Sequence, residues 1–285
     1  MHRYKGIWAG LVLFLVIGFG SATHAASGLR IQVVGSTTVL PVASRSAQKF
    51  MESSSSRILV NAGGSGVGIH SVAGGRADIG MASREISQDE KKRFEKSHLK
   101  IHPIGLDAVA CVVSSEVYES GVRQLTREQI AGIYLGEIRN WKEVGGQDRQ
   151  IVVVDKERHR GTRHVFMQYV FGNASQRTPG TLLVTGSNNE EQAKIAQSDS
   201  AIGMLSLAWV NDDVKAVSLL DQGKEILPTW ETVRQGNYPI VRKLSFITAG
   251  EPKSETKAFI DFVKGPEGQK IVAESGYIPV GSSQP

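Results

Sequence analysis

The stretch Val33–Pro41, VVGSTTVLP, places one glycine and three hydroxyl residues between two apolar runs. The segment LRIQVVG is typical of a strand, and the segment VLPVASRSAQKFMES has apolar residues at helical spacing. We therefore predict a turn from strand to helix at this position. Two interpretations of Thr37 and Thr38 remain open: one of them caps the helix, which is the commoner use of threonine there, or the hydroxyls hold a ligand.

The alternation of strand and helix continues along the chain. ILVNAGG and ADIGMAS are predicted strands, and the short helical segment VGIHSVAGG separates them. This β-α-β-α-β order implies a mostly parallel sheet with helices on its faces. A second α/β unit follows, with predicted strands such as IVVVD and AIGMLSL.

Two long extended stretches, IHPIGLDAVACVVSS and YPIVRKLSFIT, connect the two units. Because the chain passes twice between the units, we predict an α/β protein of two lobes with a cleft, mostly parallel sheets and two crossover strands. Residues 27–104 with residues 244–285 are expected to form the first lobe, and residues 105–243 the second. The C-terminal helices would return to the first lobe.

The amino terminus has the pattern of a secretory signal peptide over residues 1–26. Basic residues precede the uncharged run Ile7–Gly20, and small residues follow it. Because this run is shorter than the ~20 residues that span a bilayer, we expect cleavage after Ala25 or Ala26. A retained membrane anchor is the alternative. No cysteine lies near the cleavage point to carry a lipid anchor, so the expected location of the mature chain is the periplasm.

The composition indicates a globular protein with a sizeable core, since 40% of the 285 residues are hydrophobic and 21% are charged. A formal net charge of +5 is too small and too evenly spread to indicate nucleic-acid binding. The single cysteine, Cys111, lies in the apolar segment AVACVV and cannot form an internal disulfide. We expect it to be a buried small hydrophobic residue.

Four segments share one design, in which a predicted strand is followed by Gly, Ser or Thr and then by a helix or turn. The free N–H groups and partial positive charge at a helix start bind an oxyanion, and Ser and Thr add O–H donors. In open α/β sheets the ligand lies at the carboxyl ends of the strands, so several such loops could surround one small anion. The segments are GSTT (Gly35–Thr38), GGSGVG (Gly63–Gly68), MASR (Met81–Arg84) and KERHRGT (Lys156–Thr162).

Each segment also has a purely structural interpretation. GGSGVG could be an ordinary turn, Arg84 could be a solvated charge, and the run KERHRGTRHVF could be an exposed basic face. The repetition of one design in four places is what favours a joint binding site.

Motifs for other kinds of site fail on spacing. After Ser65 the nucleophile-elbow pattern fails at Val67, and the dinucleotide fingerprint fails at Ile69 and Ser71. The histidines show no convincing pair at metal-ligand spacing, and we find no pair of carboxylates suited to acid–base catalysis. The sequence therefore predicts neither an enzyme nor a protein with a metal ion or cofactor.

At these loops the sequence resembles a known family, the periplasmic phosphate-binding proteins of Pst-type ABC transporters. The similarity runs from about Leu29 to Val280 and rests on six segments in the family's order, which are GSTTVLP, GGSGVGI, ADIGMASR, IYLGEIRNW, AIGMLSL and the ending GYIPV. The resemblance implies a type II periplasmic-binding fold, a clamshell that holds dehydrated phosphate by hydrogen bonds. The expected partners are inorganic phosphate or a similar oxyanion and a permease in the inner membrane, and the expected state is a monomer.

The resemblance assigns ligand-binding positions residue by residue. Thr37 and Thr38 match the first donor loop of the family. The Gly-Ser-Gly turn and the end of the third loop match at Ser65, Gly66, Gly161 and Thr162.

Two loops depart from the family pattern. The third loop usually begins with arginine and continues with Gly-Ser, whereas this chain has Lys156 and then His159 and Arg160. Many members carry an aspartate that accepts the proton of hydrogen phosphate and so rejects sulfate; here Arg84 follows Ser83.

The cations that these departures introduce would strengthen anion binding through charge-assisted hydrogen bonds. We therefore include Ser83, Arg84, Lys156 and Arg160 in the predicted oxyanion site. The aspartate filter against sulfate is absent at the position of Arg84.

The leading hypothesis is a periplasmic solute-binding protein that delivers an oxyanion, with phosphate as the first candidate, to an ABC transporter permease. One alternative is a relative that acts as a sensor or binding module for another oxyanion, or that has lost its transport role. The second alternative is a secreted phosphatase, for which the sequence shows neither a nucleophile–base pair nor a metal cluster.

Overall fold

The computed structural model describes residues 29–281. The predicted signal peptide, with its cleavage after Ala25 or Ala26, lies outside the described residues and stays a prediction. Among residues 29–281, no helix combines the length and the apolar character needed to cross a membrane.

The first α/β unit alternates strands and helices in the predicted order. Its elements are β1 (Arg30–Gly35), α1 (Leu40–Met51), β2 (Arg57–Ala62), α2 (Ser65–Ala73), β3 (Ile79–Ala82) and α3 (Gln88–Arg93). Pro41 lies in the first turn of α1, where the N–H that proline lacks would have no intrahelical partner. The motif GSTTVLP therefore ends a strand and starts a helix, as predicted.

A strand of 16 residues, β4 (Leu99–Ser114), leads into the second unit. The elements that follow are α4 (Ser115–Glu119), β5 (Gln124–Thr126), α5 (Arg127–Leu135), β6 (Val152–Lys156), α6 (Gly161–Phe171), β7 (Thr181–Thr185), α7 (Asn188–Ala196), β8 (Ala201–Ser206), β9 (Val214–Ala216), β10 (Ser218–Asp221), β11 (Lys224–Ile226) and α8 (Trp230–Arg234). The chain then returns through β12 and ends in two helices and a short strand. These are β12 (Val241–Ala249), α9 (Ser254–Lys264), α10 (Pro266–Glu274) and β13 (Ile278–Pro279).

One ten-stranded sheet runs through the molecule in the order β2-β1-β3-β12-β4-β8-β6-β7, with β9 and β13 also paired to β4. The pairings of β1 with β2 and β3, and of β6 with β7 and β8, are parallel. The pairings that involve β4 or β12 are antiparallel. The predicted two-lobed α/β fold with two crossover strands is therefore confirmed, and β4 and β12 are those strands.

Each lobe has its own hydrophobic core. We call the elements β1–β3, α1–α3, α9 and α10 the first lobe, and those between β4 and β12 the second lobe. The core of the first includes Ile31 and Val42 together with Phe259 of α9 and Val272 of α10, so the C-terminal helices pack against the first lobe. The core of the second lobe is built around Trp141, Tyr134 and Phe166, among other residues.

Cys111 lies in β4 and is fully buried, which confirms the sequence expectation. Burial raises the pKa of its thiol far above the ordinary value, so the thiol stays protonated. The predicted lobe boundaries, near residues 104 and 244, fall inside β4 and β12.

Candidate functional site

The turn after β1 is built around Ser36. Its Oγ accepts the Thr38 N–H at 3.2 Å, and its carbonyl accepts the Leu40 N–H at 3.0 Å. Helix α1 has Val39 as its N-cap residue and no side-chain cap. The interpretation of Thr37 or Thr38 as a side-chain helix cap is therefore wrong, and both residues line a cavity between the lobes.

Three serines of the first lobe form a buried hydroxyl cluster. Ser36 Oγ donates to Ser83 Oγ at 2.9 Å, and Ser65 Oγ accepts the Ser83 N–H at 3.0 Å. Gly161 of the second lobe lies directly against this cluster, because an added Cβ would fall 2.5 Å from Ser83 Oγ. The cluster connects the carboxyl ends of β1 and β3 to the start of α2. On the opposite side, position 161 has room only for glycine.

Lys156 is a buried cation at the end of β6. Its Nζ forms an ion pair with Glu191 and donates to the Ser187 carbonyl at 3.2 Å. Burial lowers the pKa of Lys156 and raises the pKa of Glu191, and each charge opposes the shift of its partner. Within residues 29–281 these are the two acceptors of the ammonium group. One of its three N–H donors is therefore left for a ligand in the cavity.

Arg160 lines the cavity from the same loop as Lys156. Its Nε and Nη2 donate to Glu157 Oε2 at 2.8 Å and 2.5 Å. Helix α6 begins at the next residue and has no side-chain cap, so its first N–H groups can bind an anion. The carbonyl of His159 accepts the Gly66 N–H at 3.0 Å, so this loop lies directly on the amino terminus of α2.

A buried ion pair on the two crossover strands lies beside the cavity. Asp107 of β4 and Arg242 of β12 are register partners, and Arg242 Nε and Nη2 donate to Asp107 Oδ2 at 2.9 Å and 2.6 Å. Asp107 Oδ1 accepts the Ser206 hydroxyl at 2.8 Å. Burial raises the pKa of the Asp107 carboxyl, and the charge of Arg242 opposes that rise. The pair places a guanidinium group where the two lobes meet.

Direct hydrogen bonds connect the two lobes across the cleft. Arg242 Nη2 donates to Thr38 Oγ1 of the first lobe at 3.2 Å, and Arg242 Nη1 donates to Thr162 Oγ1 of the second at 3.0 Å. Asn188 at the start of α7 also donates to Thr38 Oγ1, at 3.0 Å. Thr38 is therefore held by both the crossover strand β12 and the opposite lobe, which corresponds to a closed cleft.

The cavity between these groups is very small, with a volume of about 10 Å³, which is close to the least that holds one water molecule. The first lobe contributes hydroxyl and backbone groups to it, and the second lobe contributes hydroxyl, amide, backbone and cationic donors. The lining residues are Ser36, Thr37, Thr38, Gly64, Ser83, Lys156, Arg160, Gly161, Thr162, Gly186, Ser187 and Asn188. Such a lining suits a compact anion, because the donors converge on it and the neighbouring backbone has no room for a larger ligand. Among residues 29–281, no cluster of His, Cys, Asp and Glu is arranged to hold a metal ion.

The structure brings most of the predicted site residues together. Thr37, Thr38, Ser83, Lys156, Arg160, Gly161 and Thr162 line the cavity. Ser65 and Gly66 lie just behind this lining, where Ser65 supports Ser83 and Gly66 contacts the loop of the second lobe.

Arg84 is placed elsewhere. Its guanidinium group forms a bidentate ion pair with Glu90, with Nη1–Oε2 and Nη2–Oε1 distances of 2.7 Å and 2.8 Å. It lines a separate pocket with His70 and Arg158 on the other side of the contact between His159 and α2.

This ion pair makes the acid stability of the protein depend on Glu90. Burial by itself would raise the pKa of Glu90, but the hydrogen bonds and charge of Arg84, with bonds from Ser87, outweigh it and lower the pKa to about 2. A carboxylate with a depressed folded pKa stabilises the protein above its ordinary pKa of 4.5 and loses that contribution as the pH falls towards 2. Thermal unfolding measured at several pH values should show a smaller loss of stability in this range for Glu90→Gln than for the wild type.

The control for that experiment is Asp89→Asn, which removes an exposed carboxylate from the same helix without touching Arg84. If the thermal stability of Glu90→Gln fell with decreasing pH as much as that of the wild type, the assignment of this ion pair would be contradicted.

Several residues of the cleft were not predicted from the sequence. Asn188 lies in the segment TGSN, which begins at the end of the strand TLLVT. This segment repeats the design of the four loops selected above, so the same rule could have identified Asn188. Asp107 and Arg242 are charges within the two extended stretches. A charge within an apolar strand is a signal for a buried partner, but the sequence does not show which partner.

The two lobes, the crossover strands and the donor-lined cleft define the class of two-lobed solute-binding proteins. Residues 20–267 match the family model described as a PBP superfamily domain. The chain is 33% identical over 252 residues to the phosphate-binding protein PstS of Bacillus subtilis strain 168, an alignment that covers 88% of this chain and 80% of that protein. The chain therefore belongs to the PstS family of phosphate-binding proteins, and the resemblance found in its loops is confirmed.

Solved structures agree with this assignment. A phosphate ABC transporter substrate-binding protein from Clostridium perfringens, solved with bound phosphate, has a TM-score of 0.79 and 34% identity, covering 88% of this chain and 99% of that one. An ABC-type phosphate transport receptor from Vibrio cholerae has a TM-score of 0.70 and 32% identity, covering 87% of this chain and 99% of that one.

Proposed function

We propose that the mature chain captures inorganic phosphate in the cavity between the lobes and delivers it to an ABC transporter permease. The observation that carries this proposal is the convergence of donors from both lobes on one small cavity. The names of the related proteins support phosphate as the ligand and an ABC transporter as the destination.

The proposed ligand contacts come from three kinds of donor. The hydroxyls of Thr37, Thr38, Ser83 and Thr162 supply neutral hydrogen bonds, and the uncapped start of α6 at Gly161 supplies backbone N–H groups. Lys156 and Arg160 supply charge-assisted bonds, which are the stronger kind. Arg84 is not among the proposed contacts, because Glu90 holds its guanidinium group outside the cavity.

Closure of the lobes is part of the proposed mechanism. An anion that bonds to Thr38 of the first lobe and to Thr162 of the second favours the closed arrangement by the difference between its affinities for the two states. A permease can then distinguish loaded from empty protein by the shape of the closed form. The pattern of the amino terminus supports export to the periplasm, and we propose that the protein acts there as a monomer without catalysis.

The experiment is a calorimetric titration of the purified mature chain with phosphate, using the variants Thr38→Val and Thr181→Val. Thr38→Val keeps the shape of the side chain and removes one cleft hydroxyl, so we expect phosphate affinity to fall by about tenfold or more. Thr181→Val is the matched control, because the Thr181 hydroxyl is buried without a hydrogen-bond partner among the described residues. Its phosphate affinity should equal that of the wild type.

Wild-type phosphate affinity in Thr38→Val would contradict the proposed site. If the wild type showed no heat with any oxyanion, the result would favour the alternative of a family member that has lost its transport role.

A further inference from the structure

A second pocket lies outside the cleft, beyond the contact between His159 and the start of α2. Its volume is about 500 Å³, against about 10 Å³ for the cavity between the lobes. Pockets for small organic ligands begin at about 300 Å³, so this one has room for more than a single tetrahedral anion. We call it the outer pocket, and its basic side chains are His70, Arg76, Arg84, Arg158 and His159.

Both lobes contribute to the outer pocket. Arg76 follows α2 and Arg84 follows β3, whereas Arg158 lies in the loop between β6 and α6. The carbonyl of His159 accepts the Gly66 N–H at 3.0 Å, and a Cβ added to Gly66 would lie 3.1 Å from His159 Cβ. The two lobes therefore meet at the wall of this pocket, and a ligand that contacts both Arg76 and Arg158 connects them.

The outer pocket has an excess of positive charge. Three arginines and one carboxylate, that of Glu90, are among its lining residues, which leaves a formal charge of +2 when both histidines are neutral. The first turn of α2 also lines the pocket, and the amino end of a helix carries a partial positive charge. The pocket therefore suits an anion with more than one negative charge.

Two of the arginines have donors that the protein does not use. Arg158 is exposed, and its side chain forms no hydrogen bond or ion pair with any residue that the structure describes. Arg76 is also exposed, and within the same part of the chain its side chain forms one long hydrogen bond, from Nη2 to the His70 carbonyl at 3.4 Å. Because these arginines belong to opposite lobes, the outer pocket offers free guanidinium donors from both.

Arg84 is a buried charge of the same pocket. Its side chain is 6% exposed, and Glu90 accepts from both of its Nη atoms, at 2.7 Å and 2.8 Å. Glu90 also lies 3.5 Å from Nε2 of His70. The carboxylate of the outer pocket is therefore engaged by basic groups, and it repels an anion less than a free carboxylate would.

We propose that the outer pocket is a second anion site, which binds a chain of two or more phosphoryl groups across the closed lobes. Guanidinium groups pair with phosphate oxygens in a bidentate manner, and a phosphoryl chain presents such oxygens at several points along its length. Free polyphosphate and nucleoside polyphosphates share this chemistry. The inference goes beyond the proposed function, because the outer pocket is separate from the cavity between the lobes.

A ligand in the outer pocket would be coupled to the cleft. It contacts arginines of both lobes when the cleft is closed, so it favours the closed form by its difference in affinity for the two states. Phosphate in the cleft is proposed to favour the same form. Each ligand should therefore raise the affinity of the other by the same factor, and this coupling rests on the proposed function.

The test is a calorimetric titration of tripolyphosphate, freed of orthophosphate, into the mature chain saturated with phosphate. Because phosphate then occupies the cleft, any further binding reports another site. We expect one tripolyphosphate per chain, and Arg76→Gln and Arg158→Gln should each lower its affinity by about fivefold or more. If the phosphate-saturated wild type bound no tripolyphosphate, the inference would be overturned.

The matched control is Arg234→Gln at the end of α8, which removes the same charge from an exposed arginine outside the lining of the outer pocket. It should bind tripolyphosphate as the wild type does. An equal loss of affinity in the control would show a general attraction to a basic protein and would overturn the inference. None of the three variants alters a residue that lines the cleft cavity, so each should bind phosphate alone with wild-type affinity.

Further probes identify the chemistry of the ligand. Pyrophosphate and ADP both carry two phosphoryl groups and should bind, whereas AMP carries one and should bind about tenfold more weakly than ADP. A higher affinity for ADP than for pyrophosphate assigns the site to nucleotides, and an equal or lower affinity assigns it to free polyphosphate. AMP that binds as tightly as ADP would overturn the inference. A triglutamate peptide that binds as tightly as tripolyphosphate would overturn it as well, because the pocket would then recognise charge alone, as a docking surface for an acidic protein segment does.

The coupling is measured by titrating phosphate with and without saturating tripolyphosphate. We expect tripolyphosphate to raise phosphate affinity by about fivefold in the wild type and by less in Arg158→Gln. An unchanged phosphate affinity would overturn the bridging of the lobes, and a lower one would place tripolyphosphate in the cleft itself. A wild type that binds tripolyphosphate but no phosphate would overturn the proposed function and leave the second anion site standing.

Discussion

Replacing Gly161 by alanine is expected to prevent full closure of the cleft and to weaken phosphate binding by about 10- to 100-fold. The added Cβ would overlap Ser65 Oγ, would lie 2.5 Å from Ser83 Oγ and would lie 3.2 Å from the Ser83 backbone carbon. Both serines are buried and bonded to one another, so neither can turn aside. Overpacking of this kind costs about 1–3 kcal/mol, which corresponds to the expected loss of affinity.

The clashing atoms belong to opposite lobes, and this determines how the Gly161→Ala variant should behave. Gly161 belongs to the second lobe and both serines to the first, so the overlap disappears when the cleft opens. Gly161→Ala should therefore unfold near the wild-type temperature in the absence of phosphate and should gain less thermal stability from added phosphate.

The control for this experiment is Gly265→Ala, at the junction of α9 and α10, where an added Cβ would meet no atom closer than 3.3 Å. It should keep wild-type affinity. Wild-type phosphate affinity in Gly161→Ala would show that the contact of α6 with the serine cluster is not part of the bound state.

Glu191→Gln is expected to have the largest effect on stability, a loss of about 3–5 kcal/mol in the free energy of unfolding at pH 7. Glu191 is fully buried, carries the counter-charge of Lys156 and accepts the Met204 N–H at 2.7 Å. Glutamine has nearly the same shape but leaves the buried ammonium group without a compensating charge. Urea unfolding of the two proteins measures the difference directly.

The pH dependence of this variant has a definite sign. Burial already lowers the pKa of Lys156, and without Glu191 nothing of similar strength opposes that shift. Between the folded pKa and the ordinary lysine value of about 10.4, the unfolded chain binds a proton that the native chain does not. Stability should therefore rise with pH in this window, more steeply in Glu191→Gln than in the wild type.

The comparison variant is Glu52→Gln, which removes the exposed partner of Lys49 and should leave stability and its pH dependence unchanged. If Glu191→Gln were as stable as the wild type at pH 7, the buried pair would not have the role assigned to it.

Local sequence patterns were sufficient to predict the fold and much of the cleft. Thr38 and Ser83 could be placed together because each follows a strand, and the carboxyl ends of parallel strands meet at one edge of a sheet. Gly161 and Thr162 follow the same rule in the second lobe. The periodicity of each segment predicted its element, and the alternation of elements predicted the two units that the crossover strands connect.

The remaining parts of the site depend on contacts between distant segments. Arg84 follows a strand like the other candidates, but the capping turn of α3 brings Glu90 back to it, and this contact turns its guanidinium group away from the cavity. Asp107 and Arg242 are 135 positions apart and become partners only through the register of β4 with β12. The register of β4 with β12 cannot be predicted from a single sequence.

We infer an order of events for anion capture from the pairing of β4 with β12. If the lobes open by a rotation that preserves this ladder, the residues on the two strands move least, and we expect Arg242 to stay beside Asp107. An open form of this kind would already present an oriented partial site. We therefore expect capture to be a collision step whose rate depends on anion concentration, and closure to follow as a separate first-order step whose rate does not.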